Sequence, residues 1–214
     1  MADSSYGVVR RNAIPDYNDG STSQMAITSR GDTLVANSLP FATEYVRLDS
    51  TWTCQIATGS AFTNVANMPT TLAEFVLYNG ESSTGKSYII NSIWWLSLTS
   101  LTAASGVTII YQVGAPAAPT DDTAQLINSP LGSTYGGSAK RSVSDTSMTA
   151  NKWAAVAATP AGAAASIGLG VVADINGGII LKPGFSLGLN AVAGTAAGTS
   201  LMGVCWSELF LPEA

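Results

Sequence analysis

The run Gly80-Glu81-Ser82-Ser83-Thr84-Gly85-Lys86-Ser87 is the part of this chain whose residue types and spacing could do chemistry. It fits the phosphate-binding pattern GxxxxGK[ST], in which backbone N–H groups cradle phosphates, the lysine reaches the terminal phosphates and the hydroxyl helps hold Mg²⁺. The apolar segment AEFVLYN precedes it, as a strand should. The cradle also needs a helix that opens at the lysine and serine, because it forms where N–H groups converge at a helix N-terminus. The segment after the serine, YIINSIWWLSLTSL, is dense in β-branched and aromatic residues, which predicts a strand. A second strand ending in a carboxylate is required for the metal. GVVADIN, ending near Asp174, is the nearest candidate, and Asn176-Gly177-Gly178 comes next, as a hairpin turn would. The expectation is therefore a loop from Asn79 to Gly85 joining two antiparallel strands, with Lys86 exposed beside it. A nucleotide hydrolase is retained only as an alternative.

Other routes to catalysis are poorly supplied. The chain has no histidine, which removes the commonest general base, the usual metal ligand and the Ser/His/Asp or Cys/His arrangements. Asp121-Asp122 and the scattered Asp16, Asp19 and Asp32 lack the spacing of a calcium loop. Arg30-Gly31-Asp32 is the polar content of a turn, with integrin binding as its functional alternative. The five tryptophans, Trp52, Trp94, Trp95, Trp153 and Trp206, could form a sugar-binding platform but suit core and subunit packing better. Trp94 and Trp95 are adjacent, so on a strand they face opposite ways. Cys54 and Cys205 could pair only if the fold joins its first and last strands, and they are read as buried thiols. No catalytic, cofactor-binding or metal-ligating residue is assigned, and the chain is expected to be no enzyme and to need no cofactor.

Composition limits the partners. Charged residues are 11% of the chain, against about 25% in an ordinary soluble domain. The surface must be covered largely by Ser, Thr, Asn, Gly and Ala, which gives little repulsion between copies. With a net charge of −5 and nine Lys plus Arg spread along the sequence, no basic stripe exists to follow a phosphate backbone, so nucleic acid is not an expected partner. The apolar segment Tyr88 to Leu101 is interrupted by Asn91, Ser92, Ser97, Thr99 and Ser100, so no uninterrupted membrane span is expected. The N-terminus lacks the apolar stretch of a secretory signal, and synthesis in the cytoplasm is expected.

The elements can be read from periodicity and turn residues. Residues 1 to 20 show no sustained pattern and read as an extended arm or, equally, as a solvated tail. The arm carries Tyr6, Val8, Val9, Arg10, Arg11, Ile14 and Tyr17, side chains suited to docking on a partner surface. Gln24 to Asn37 reads as a hairpin, so residues 1–44 form an N-terminal arm and hairpin ahead of a domain over 45–214. That domain is a succession of strands: Tyr45 to Asp49, Thr51 to Ala57, Ala73 to Tyr78, Ser87 to Thr99, Val107 to Val113 and Ser166 to Ala173. Gly178 to Leu181, Ser186 to Ala193 and Ser200 to Phe210 complete it. In SLGLNAVAG, Leu187, Leu189 and Ala191 alternate with Ser186, Gly188 and Asn190. Residues 115 to 165 read as irregular excursions at one end, with short helices near Thr120 to Ile127 and Asn151 to Val156. The fold class is all-β, a jelly-roll-like antiparallel β-sandwich with an extended N-terminal arm.

Four motifs resemble those of phage virion proteins: Thr28-Ser29-Arg30-Gly31, Val76-Leu77-Tyr78-Asn79, Ser82 to Lys86, and Tyr88-Ile89-Ile90. PGFSLGLNAV and then LMGVCWSELFLPE resemble the last two strands of trimeric jelly rolls, where a Pro-Gly turn leads into a strand and the final strand carries Trp-x-Glu. The resemblance implies a capsid decoration (cement) protein or head fibre of the virion. It would be a homo-oligomer, expected as a trimer, with the major capsid protein or other virion proteins as partners and no membrane or nucleic-acid ligand. A receptor- or glycan-binding tip, carried by the loops of residues 115 to 165, is the alternative.

Overall fold

The structure is a computed structural model that describes residues 45–46, 48–56, 62–99, 106–114, 127–146, 148–159, 170–194 and 199–211. The expected arm, the seven residues read as suited to docking, the expected hairpin over 24–37 and Arg30-Gly31-Asp32 all lie outside the described residues. The chain divides between Glu44 and Tyr45. All of the named elements are strands: β1 (Thr51–Gln55), β2 (Phe62–Thr63), β3 (Ala73–Asn79), β4 (Ser87–Ser97), β5 (Val107–Gly114), β6 (Ile127–Asn128), β7 (Ala139–Asp145), β8 (Ala154–Ala158), β9 (Gly170–Leu181), β10 (Ser186–Ala193) and β11 (Thr199–Leu209).

They form two antiparallel sheets. The first runs β6-β1-β11-β4-β9, with β2 also pairing β11, and the second runs β7-β3-β10-β5-β8. The long pairings are nested: β1 with β11, β3 with β10, β4 with β9 and β5 with β8. The early strands thus meet the late ones in reverse order, as in one long antiparallel ribbon folded over on itself. Alternating apolar residues from both sheets fill the space between them. Trp52, Trp95, Val204 and Trp206 come from the first sheet, and Phe75, Leu77, Leu187 and Leu189 from the second. The alternation read in β10 is observed, with Leu187, Leu189 and Ala191 in this core.

Several local expectations are corrected. The strand over Tyr45 to Asp49 is instead a turn, closed by Asp49 N–H on the Val46 carbonyl at 3.0 Å and Ser50 N–H on Tyr45 at 2.9 Å. Asn176-Gly177-Gly178 is not a hairpin, because β9 continues through it as one 12-residue strand. Ile90 faces Ile179 while Ser92 faces Asp174, so the residues between bulge out opposite Asn91. Asn176 and Gly177 sit at φ 49° and 81°, and residues that tolerate the left-handed region can serve a bulge as well as a turn. The helix expected near Asn151 to Val156 is a turn and then β8, because Ala154 to Ala158 complete the edge of the second sheet. Residues 120–126 lie outside the described residues, while Ile127 belongs to β6. The stretch from 115 to 165 is therefore not only end loops, since β6, β7 and β8 add edge strands to both sheets.

Candidate functional site: a buried polar clamp beside the glycine-rich loop

The glycine-rich loop joins β3 to β4, which lie in opposite sheets rather than pairing with one another. Its geometry is set by Asn79, fully buried at the end of β3. The Asn79 amide donates to the carbonyls of Lys86 at 2.9 Å and Leu181 at 3.0 Å, and its Oδ1 accepts from Glu81 N–H at 3.1 Å. Gly85 N–H donates to the Ser82 carbonyl at 2.7 Å, closing a turn. Gly80 lies so close to Ser138 that a Cβ there would overlap its carbonyl oxygen. Two of the N–H groups that a phosphate cradle would need are thus committed within the loop. Ser87 opens a strand and is buried, so the helix N-terminus that the motif requires is not formed.

Lys86 is not simply exposed. Its Nζ lies 3.5 Å from Oε2 of Glu208, and the two side chains are 40% and 2% accessible. Glu208 is held inside the sandwich because it comes two residues after Trp206 on β11, which places both on the inward face. Its Oε1 accepts from Tyr135 Oη at 2.7 Å and from Trp206 Nε1 at 3.3 Å. Tyr135 Oη also accepts from Ala139 N–H at 2.9 Å and lies 3.3 Å from Tyr88 Oη. A tyrosine has one hydroxyl proton, and here it goes to the carboxylate, so Tyr88 must be the donor in the tyrosine pair. Burial is the leading cause that pushes both phenols well above their ordinary pKa; the charge of Glu208 acts the same way on each, and their shared hydrogen bond lowers Tyr88 while raising Tyr135. The rings pack as well: Tyr135 meets Trp52 edge-on at 4.8 Å and Trp206 at 6.4 Å. This cluster ties β4, β11 and the chain before β7 together, with the buried carboxylate satisfied by neutral donors and one partly solvated cation.

Arg141 does the same across the sheets. It is buried on β7, and its Nη1 donates to the Gln55 carbonyl on β1 at 2.8 Å. The cysteines settle differently from a disulfide. The fold does join β1 to β11, but Cys54 faces Val204 and Thr53 faces Cys205, so the two thiols lie on opposite faces of one sheet. Both are free, and burial raises both above the ordinary thiol value. Electrophoresis with and without reductant should therefore give one mobility, and alkylation should modify half-buried Cys205 slowly and native Cys54 not at all.

Sequence reasoning placed Lys86 in a loop and Trp206-Ser207-Glu208 on the last strand but did not bring them together. The signal available was the Trp-x-Glu spacing, which on a strand puts both side chains on one face. Nothing in the sequence around Tyr135 marked it. No protein-family model matches the chain, and no curated protein matches it. Lys86→Ala should cost about 1 kcal/mol in urea unfolding, more than a solvated loop lysine would, because it leaves a buried carboxylate without its cation. The same variant assayed with ATP tests the phosphate motif, since loss of a measurable wild-type ATPase would reinstate it.

Proposed function

We propose that the chain is a non-enzymatic structural protein of a phage particle, a jelly roll that binds and stabilises the capsid exterior as an oligomer, with a trimer expected. Supporting this is the nested pairing of early with late strands, the order a rolled-up antiparallel ribbon gives and an architecture used by viral capsid and lectin domains. Fold alone does not assign function, so the reading also rests on charge. In a chain with 11% charged residues, Glu208 and Arg141 are spent on internal ties, and contacts to neighbours must be mainly apolar and hydrogen-bonded. The test is to add the purified protein to undecorated particles and to measure binding and the release of the genome on heating. Selective binding on a glycan array without particle binding would favour a receptor-binding tip.

The arm gives a sharper version. Deleting residues 1 to 20 should leave the β-domain folded and oligomeric while weakening attachment. Arg10 and Arg11 would pair with shell carboxylates, and Tyr6, Val8, Val9, Ile14 and Tyr17 would dock in grooves. The difference between intact and truncated protein should shrink as salt rises. Equal binding at every ionic strength would place attachment in the β-domain.

A further inference from the structure

The two outer faces of the sandwich are built differently. Outside the second sheet, the segment around Met148 lies over β10: a Cβ on Gly188 would come within 2.8 Å of the Met148 side chain. Gln112 and Thr149 exchange two hydrogen bonds of 2.7 Å, and Trp153 Nε1 donates to the Thr70 carbonyl at 3.2 Å. That face is covered by the chain itself. Outside the first sheet, Trp94 lies over Gly203, whose missing Cβ leaves the room its indole occupies. Val172 stands beside Trp94 in the register and is 66% exposed, and Leu96 in the next row and Ile180 further along β9 are 38% and 45% exposed. Among the outward side chains of β1, β4, β9 and β11, Asp174 alone carries a charge.

We infer that this outer face of the first sheet is the surface on which a second copy of the chain docks. The inference deepens the reading of the protein as an oligomeric shell component and rests on it for the choice of occupant. Two observations carry it. The strands β1, β11, β4 and β9, of 5, 11, 11 and 12 residues, span roughly 600 Å² of sheet at about 3.3 Å per residue and about 4.8 Å between strands, with the open part along β9 and β4, since Thr51, Ser87, Gly203 and Ser207 on the same face are buried. That extent suits an interface at the small end of the specific kind, which covers about 600 Å² on each partner. The face also has almost no charge to offer a charged partner, whereas another copy of an 11%-charged chain presents an equally uncharged surface that costs little to desolvate.

Light scattering and sedimentation of the full chain at micromolar concentration test this. The wild type should be oligomeric, and Val172→Glu combined with Leu96→Glu should fall to the monomer mass with its far-UV spectrum retained. Lys152→Glu, outside this face, should leave the mass unchanged. Should the double variant fail to fold, Cys205 serves as a native probe, since it faces outward on the same sheet. Its alkylation in the wild type should slow as protein concentration rises through the association range. A monomeric wild type, an oligomer that the folded double variant preserves, or a labelling rate independent of concentration would each overturn the proposal. A monomer that still attaches to particles would remove this docking face and leave the structural role standing.

Discussion

Trp206→Ala is expected to lower the stability of the β-domain by about 3–5 kcal/mol, a large part of the roughly 5–15 kcal/mol that holds a domain together. Trp206 is fully buried at the centre of the first sheet, facing Trp52 on β1 and Ile90 on β4. Its ring lies 6.0 Å from Tyr88 and 6.4 Å from Tyr135, so its removal opens a cavity between two aromatics that are themselves held by hydrogen bonds. A rigid sheet cannot collapse into that space as a loop could, which puts the cost at the upper part of the range for large-to-small changes. The indole also donates to Glu208, and the carboxylate would keep only Tyr135 and Lys86. Urea unfolding monitored by far-UV circular dichroism would read the change as a lower midpoint at unchanged slope. A loss below about 1 kcal/mol would mean that this end of the sandwich is not packed as described.

Tyr135→Phe should cost about 2–3 kcal/mol although it removes a single oxygen. That oxygen donates to Glu208 and accepts from Ala139 N–H and Tyr88, so its loss strands a buried backbone donor and weakens the satisfaction of a buried carboxylate. The same residue governs behaviour in alkali. Burial and the nearby Glu208 charge raise Tyr135 and Tyr88 above their unfolded value of 10.0. A group whose folded pKa is raised contributes stability that is complete below the unfolded pKa and is lost as pH climbs beyond it. The fold should therefore begin to lose stability above about pH 9, where the unfolded thiols of the buried Cys54 and half-buried Cys205 ionise, and then lose a further ~1.4 kcal/mol per pH unit for each of these tyrosines above about pH 10. In Tyr135→Phe the baseline is lower but the alkaline slope is shallower, because one of the two groups is gone. Equal slopes in both proteins would show that Tyr135 does not titrate with unfolding.

Much of the architecture was legible in the sequence, and the limits of that legibility have particular physical causes. A chain with two-residue alternation in SLGLNAVAG, with Pro183-Gly184 between strands and no sustained helical period, had to form sheets that bury one set of side chains. Leu187, Leu189 and Ala191 accordingly face the core, and Gly184 turns at φ 79° with Phe185 N–H on the Lys182 carbonyl. The β-branched run after Lys86 likewise fixed a strand where the phosphate motif needs a helix. Adjacency alone also determined that Trp94 and Trp95 face opposite ways, but not which one is buried. Tertiary pairing decided that: Asn91 is an extra residue against β11 and sits opposite the bulge of β9, so the alternation that puts Tyr88 and Ile90 inside resumes one position later and buries Trp95. The same long-range pairing turned Asn176-Gly177-Gly178 from a hairpin into a bulge, because both flanking segments find the same neighbour in β4. It also brought Lys86, Tyr135 and Glu208 together, since a buried carboxylate is tolerable only where donors from three distant parts of the chain converge on it. Local sequence specifies conformations one strand at a time, whereas such convergence depends on which strands become neighbours, and only the assembled sandwich sets that.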